Sequence, residues 1–150
     1  MRAVVQRVRS ASVVVDGVTV GAIDGGLLVY LGAEKGDTAS DVESACGKIA
    51  NLRIFEGDDG KMTHAVSDVG GSVLVVSQFT LFGDVRRGRR PSFDDAAPPE
   101  EAERLYDAAC ARLRADHGLR VETGRFRAHM LVRSEGDGPV TILIDSRKRF

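Results

Sequence analysis

The chain has no tryptophan, so base stacking on an indole ring is excluded. It has only two cysteines, Cys46 and Cys110, too few and too far apart for a metal knuckle. Both fall inside helical patterns, where a buried free thiol is the default and a reducing compartment suits it. The three histidines, His64, His117 and His129, are scattered without ligand spacing, so no metal site is expected. No apolar run approaches membrane-spanning length. The segment Met1-Arg2-Ala3-Val4-Val5-Gln6-Arg7 places charges where a signal peptide needs an apolar core. These absences predict a cytoplasmic, soluble protein with no membrane and no metal partner. The net charge is -1, so no global basic field draws in nucleic acid, and any anionic partner must be met by a local patch. Walker-type loops and dinucleotide fingerprints are missing, and no cofactor is predicted.

What is present fits a single domain over residues 1–150, ending in a basic tail at 146–150 that is expected to be mobile. The stretch around which the chain is organised is Gly70-Gly71-Ser72-Val73-Leu74-Val75-Val76-Ser77-Gln78-Phe79-Thr80-Leu81. Its valine-rich run is too short for a helix and reads as a strand buried on both faces. Polarity then appears abruptly at Ser77, Gln78 and Thr80. Continued alternation would put Gln78 and Thr80 on one face and Ser77 and Phe79 on the other. Such a strand end is either a site or a place where hydroxyls bond local backbone.

Around it, residues 3–8 and 12–15 read as two strands with a break at Arg9-Ser10. Asp16-Gly17 between β-branched runs signals a hairpin. Residues 27–31 form a further strand. Ser40 with Glu43 fits a capping box, followed by an apolar stripe of Val42, Ala45, Cys46, Ile49 and Ala50. Residues 52–55 read as a short strand, and Gly57-Asp58-Asp59-Gly60 as a structural turn. Pro98-Pro99-Glu100-Glu101 opens a second helix that buries Ala102, Leu105, Tyr106, Ala109 and Leu113 and stops near Gly118. Residues 119–122, 126–133 and 140–144 read as strands, with a turn over 135–139. Nine or ten strands with two helices predict a mixed α/β fold: mostly antiparallel, curved, barrel-like sheets in β-β-α layers, with both helices on one side.

Between Gly83 and Phe93 lie Arg86, Arg87, Arg89 and Arg90. They form either a solvated loop or a phosphate-binding patch, since arginine forks match phosphate oxygens. Ser77 or Thr80 lacks an obvious neighbouring base, and the flanking glycines of a serine-hydrolase elbow are missing. A catalytic site here would rely on positioning and backbone donors.

Six motifs occur in order: Gln6-Arg7-Val8, Gly70-Gly71-Ser72, Ser77-Gln78-Phe79-Thr80-Leu81, Arg90-Pro91-Ser92-Phe93, Thr123-Gly124-Arg125-Phe126 and Gly138-Pro139-Val140-Thr141. Together the chain resembles the D-aminoacyl-tRNA deacylases over residues 1–145. The resemblance implies an editing esterase that hydrolyses D-aminoacyl-tRNA, and glycine mischarged on alanine tRNA, at the tRNA 3′ end. It implies a cytoplasmic homodimer without metal or cofactor. By position, Ser77, Gln78, Phe79 and Thr80 would line the aminoacyl-adenosine pocket. The Phe79 amide would face the terminal ribose, whose own 2′-OH assists hydrolysis. Gly138 and Pro139 would form a cis element that enters the partner's pocket and rejects L-amino acids. Arg7 would brace that element, and Met130 would lie near the pocket. Gly136 departs from the asparagine often found there. Two rival readings are a non-catalytic RNA 3′-end binding module and a hydrolase using Thr80 or Ser77 as nucleophile.

Overall fold

The computed structural model describes residues 1–150. Its architecture hangs on one long strand, β1 (Arg2–Val15). The Asp16-Gly17 hairpin, with φ of 49° and 79°, returns the chain as β2 (Val18–Ile23). Strand β3 (Gly26–Gly32) then pairs antiparallel with the first half of β1. Helix α1 (Ala39–Asn51) crosses to the hairpin β4 (Phe55–Glu56) and β5 (Met62–His64). Strand β6 (Ser72–Ser77) lies parallel to β3 and leads into a 3₁₀ turn (Phe79–Phe82). Helix α2 (Pro99–Ala115) returns the chain to β7 (Arg120–Thr123), parallel to β6. The last strand, β8 (Leu131–Asp145), runs antiparallel along β1.

Most residues of β1 that pair with β3 or β2 also pair with β8. A strand has two edges, so β8 takes one edge and β2 and β3 share the other. The main sheet orders as β2-β1-β3-β6-β7. It curls until β2 meets β7: a Cβ placed on Gly21 would lie 2.3 Å from the Thr123 carbonyl oxygen. This is the mixed, barrel-like α/β fold expected, with eight strands and two helices.

Alternation divides the interior into two cores. Leu27, Val29, Val73 and Val75 pack with the apolar faces of both helices, including Ile49, Leu105 and Leu113. Leu28, Leu74 and Val76 point the other way, against Val8, Val13 and Ile23 inside the barrel. Strand β6 is thus buried on both faces. Cys46 and Cys110 are free and buried, and burial pushes their thiols up to about 12 and about 11.

Several local expectations need correction. The break at Arg9-Ser10 is a register irregularity in a continuous β1, and residues 135–139 sit inside β8 rather than in a turn. The partner strand supplies the ladder that the local sequence does not reveal. Residues 124–130 form a loop in which Arg127 takes φ 62°, so the alternation over 126–133 becomes strand only from Leu131. The short strand expected over 52–55 is confined to Phe55–Glu56, the part that β5 can pair. The first helix is capped by Thr38, whose N–H donates to Asp41 at 2.8 Å, and not by Ser40 with Glu43. Beyond β6, Gln78 N–H makes a last ladder bond to Leu31 and the chain then coils, which ends the strand alternation of residues 77–80.

The tail at 146–150 is tied down. Arg149 grips Glu34 and Asp145, and Arg147 reaches Asp37. Hydrogen bonding from Arg149 holds Glu34 below its usual carboxylate pKa, against the cost of burial. Burial raises Asp145, but the Arg147 N–H and the guanidinium groups of Arg149 and Arg2 outweigh it, and its pKa is lowered.

A carboxylate with a depressed native pKa takes up its proton more readily when unfolded. Its stabilisation is full above the unfolded value and lost as pH falls through the native one. Thermal unfolding midpoints should therefore hold down to about pH 5 and fall below about pH 4. Glu34→Gln should show a shallower acid fall in a Tm–pH series. An acid limb of unchanged steepness in that variant would contradict the assignment.

Candidate functional site

The end of β6 opens into a cavity of about 600 Å³. One side is the end of β3 with Gly32 and Ala33, and the facing side is the start of α2 with Pro99, Ala102 and Tyr106. Ser77, Gln78, Phe79 and Thr80 all line it. The loop from 124 to 130 closes it with Phe126, Ala128 and Met130. Most of the wall is apolar. Such a concave, apolar site with a few convergent polar groups suits a ligand.

The polar groups are held by backbone geometry. Gly32 permits the approach of the next segment, since a Cβ there would lie 2.6 Å from the Gln78 carbonyl oxygen. The Tyr106 hydroxyl donates to the Val75 carbonyl at 2.8 Å, two residues before Ser77, and the Gly124 N–H reaches the same oxygen at 3.1 Å. Burial raises the Tyr106 phenol well above its ordinary value, so it remains a neutral donor. Phe79 is 55% exposed at the cavity mouth and meets Phe93 edge-on, with centroids 5.0 Å apart.

No histidine, aspartate or glutamate lines this cavity, and Arg127 is its one charged side chain. The Gln78 amide donates to the Thr80 hydroxyl oxygen. That contact occupies a lone pair of the hydroxyl and offers no base to remove its proton. The backbone N–H groups of Phe79 and Thr80, at the start of the 3₁₀ turn, donate to no group of the chain. The first N–H groups of a helical turn have no partner within it and remain available. The site therefore offers an apolar enclosure, backbone donors and short polar side chains, and no nucleophile–base pair.

Arg7, Gly138 and Pro139 lie elsewhere and do not line the cavity. Arg7 is buried, and its Nε donates to the Asp137 carbonyl at 3.0 Å while Nη1 donates to the Ile54 carbonyl at 2.7 Å. The Asp137 carboxylate lies 3.3 Å from Nε. The next peptide, Gly138-Pro139, is cis and exposed. Gly138 takes φ 137°, and a Cβ there would lie 2.7 Å from the Val140 nitrogen. Strand β8 pairs only with β1, so its outer edge is unpaired within the chain, with Leu131 and Leu143 exposed.

The arginine loop flanks the cavity side that carries Phe93. Arg86 is engaged by Asp84 at 2.7 Å, and Asp84 is held down to about 2 chiefly by that guanidinium. Arg87, Arg89 and Arg90 are exposed and make no hydrogen bond or ion pair within the chain. Gly32, Phe93, Ala102, Tyr106 and Phe126 were not expected as site residues. Tyr106 and Ala102 carried only a helical core signal, and their place at the cavity is set by tertiary packing.

The family profile described as D-Tyr-tRNA(Tyr) deacylase matches residues 4–145. A D-aminoacyl-tRNA deacylase of Anaeromyxobacter dehalogenans is 61% identical over 150 residues, covering all of both chains. One from Thermotoga petrophila is 59% identical over the same span, again covering all of both. Among solved structures, a c-Myc DNA unwinding element binding protein superposes with a TM-score of 0.91 at 42% identity, over 97% of this chain and 98% of that one. A probable eukaryotic D-amino acid tRNA deacylase shares the fold, with a TM-score of 0.81 at 20% identity, over 95% of this chain and 97% of that one.

Proposed function

The chain belongs to the D-Tyr-tRNA(Tyr) deacylase family and is a hydrolase with D-aminoacyl-tRNA deacylase activity, and from that premise we propose how its cavity does this work. The 3′-terminal aminoacyl-adenosine enters the cavity at Ser77, Gln78, Phe79 and Thr80. Water adds to the ester carbonyl carbon, the bond to the ribose oxygen breaks, and that oxygen leaves as the tRNA hydroxyl with a proton. The observation that carries this reading is the absence of any carboxylate or imidazole in the cavity beside free backbone N–H groups at Phe79 and Thr80. The protein positions and polarises the ester, and the vicinal 2′-OH of the tRNA supplies the assistance that a side chain would otherwise give. Met130, which lines the cavity, would border the amino-acid end. No metal or cofactor enters the scheme.

Chirality is assigned to a second copy of the chain. A homodimer formed through the exposed face and edge of β8 would carry Gly138 and Pro139 into the partner's cavity. Arg7 would hold that peptide from behind through Asp137. A backbone wall rejects an L side chain by collision and lets glycine pass, which extends the activity to glycyl-tRNA(Ala). The tRNA body would be met by Arg87, Arg89 and Arg90, with Arg86 joining if Asp84 releases it. The setting of this editing is the cytoplasm.

Thr80→Ala should keep most of its deacylation of D-tyrosyl-tRNA, while a substrate ending in 2′-deoxyadenosine should be cleaved very poorly. L-tyrosyl-tRNA should survive in both enzymes. A loss of about 10³-fold or more in a folded Thr80→Ala protein, with the deoxy substrate still cleaved, would assign the chemistry to the hydroxyl.

Replacing Arg87, Arg89 and Arg90 by Gln should weaken binding across tRNA species. It should also flatten the slope of log affinity against log salt by about 0.7–0.9 for each phosphate that is no longer neutralised. An unchanged slope would return this loop to solvated surface.

A further inference from the structure

Three buried carboxylates, Glu34, Asp37 and Asp145, converge beside the cavity. The last residues of the chain answer them. Arg149 Nη1 donates to Glu34 Oε1 at 2.8 Å, Nη2 donates to Oε2, and Nε donates to Asp145 Oδ2 at 3.0 Å. Arg147 Nη2 donates to Asp37 Oδ1 and to the Lys35 carbonyl, each at 3.0 Å. Asp37 also faces the Met1 ammonium at 2.7 Å.

Two routes lead from this cluster to the cavity walls. Glu34 forms an antiparallel bridge with Ala96, and the Ala97 N–H donates to the Ala33 carbonyl at 3.0 Å. Ala33, Ala96 and Ala97 all line the cavity. On the other side, Arg2 Nε donates to Asp145 at 3.2 Å and Nη1 donates to the Leu81 carbonyl at 3.1 Å. The Arg2 guanidinium lies 4.8 Å from the Phe82 ring centroid and 5.7 Å from that of Phe150. Leu81 and Phe82 belong to the 3₁₀ turn that carries Phe79 and Thr80.

We propose that residues 147–150, acting with Arg2 and Glu34, are a positioning strap that fixes the 3₁₀ turn and the Ala96–Ala97 wall around the ester. None of these residues needs to touch substrate. The inference rests on reading the cavity as the ester site. Its physical basis is compensation. Without Arg149, the Glu34 carboxylate is buried beside two others and must either take a proton or swing toward water. Either change moves the 33–37 loop and the wall bonded to it. Lysine cannot reproduce the strap, because a point charge cannot span both oxygens of Glu34 and one of Asp145. Arg2→Lys should fail in the same way, losing one of its two links.

The test compares Arg149→Ala, Arg149→Lys and Arg2→Lys with the unaltered chain, by steady-state deacylation of D-tyrosyl-tRNA and by amide hydrogen exchange. Ala102→Phe, which fills the cavity, runs beside them. Arg149→Ala should lower kcat/KM about tenfold. Exchange should quicken at residues 81–83 and 96–97 while residues 73–76 keep their protection. Arg149→Lys should fall between the two. Unchanged kcat/KM in folded Arg149→Ala and Arg2→Lys proteins would overturn the strap. So would exchange that rises equally at 73–76 and 81–83, which marks general destabilisation. Full activity in Ala102→Phe would overturn the cavity reading itself, and the strap as a device for catalysis with it.

Discussion

Strand β6 has no free face. Val73 and Val75 are held by the helices, Leu74 and Val76 by the barrel interior, and both edges are paired, by β3 and β7. Fully burying a valine or leucine contributes about 1.5–3 kcal/mol, so this short strand is fixed by several such terms at once. Its end is fixed with it. The ladder to β3 stops at the Gln78 N–H, and the next N–H groups, of Phe79 and Thr80, have no partner in the chain where those residues line the cavity. An ordinary packing constraint thus delivers unsatisfied backbone donors to one place, and the Tyr106 hydroxyl pins the carbonyl just upstream.

The same logic separates what holds the fold from what tunes the site. Ion pairs at the tail join guanidinium groups 36–39% exposed to carboxylates that are buried, so removing one partner leaves a buried charge uncompensated. Their value lies in direction: they join the chain end to the two cavity walls. Arg7 differs, since it is 7% exposed and holds two carbonyl groups at a point remote from its own cavity. A buried guanidinium bracing an exposed glycine–proline peptide makes sense if that peptide must be rigid for something outside the chain.

Features with a local cause were readable from sequence. The stripe Val42, Ala45, Cys46, Ile49 and Ala50 is buried as its 3.6-residue period requires. Asp16-Gly17 adopts the positive φ values its hairpin needs. The doubly buried character of residues 73–76 followed from their unbroken valine-rich run. Apart from the cap, which falls at Thr38 with Asp41 two residues before the expected Ser40 with Glu43, what failed depended on distant partners. Residues 135–139 look like a turn but lie within β8, where Glu135 and Gly136 pair with Ser10 and Val8 of β1, more than 120 residues earlier in the chain. The tail reads as mobile in the sequence because Glu34 and Asp37 are invisible as partners from positions 149 and 147. At the site, the Ser77 to Thr80 segment stood out by its abrupt polarity and its family resemblance. The cavity walls at Ala102, Tyr106 and Phe93 did not, since small and aromatic residues in a helix or loop carry no signal of what they face.

In the proposed dimer one chain supplies the cavity and the other supplies the wall that reads chirality. This arrangement is tested most directly by mixed dimers of a Gly138→Val chain and an Ala102→Phe chain, each folded and each inactive or unselective alone. Every mixed dimer should regain one intact site, which cleaves D-tyrosyl-tRNA and spares the L-ester. Mixed dimers that form but never recover D-selective cleavage would contradict it.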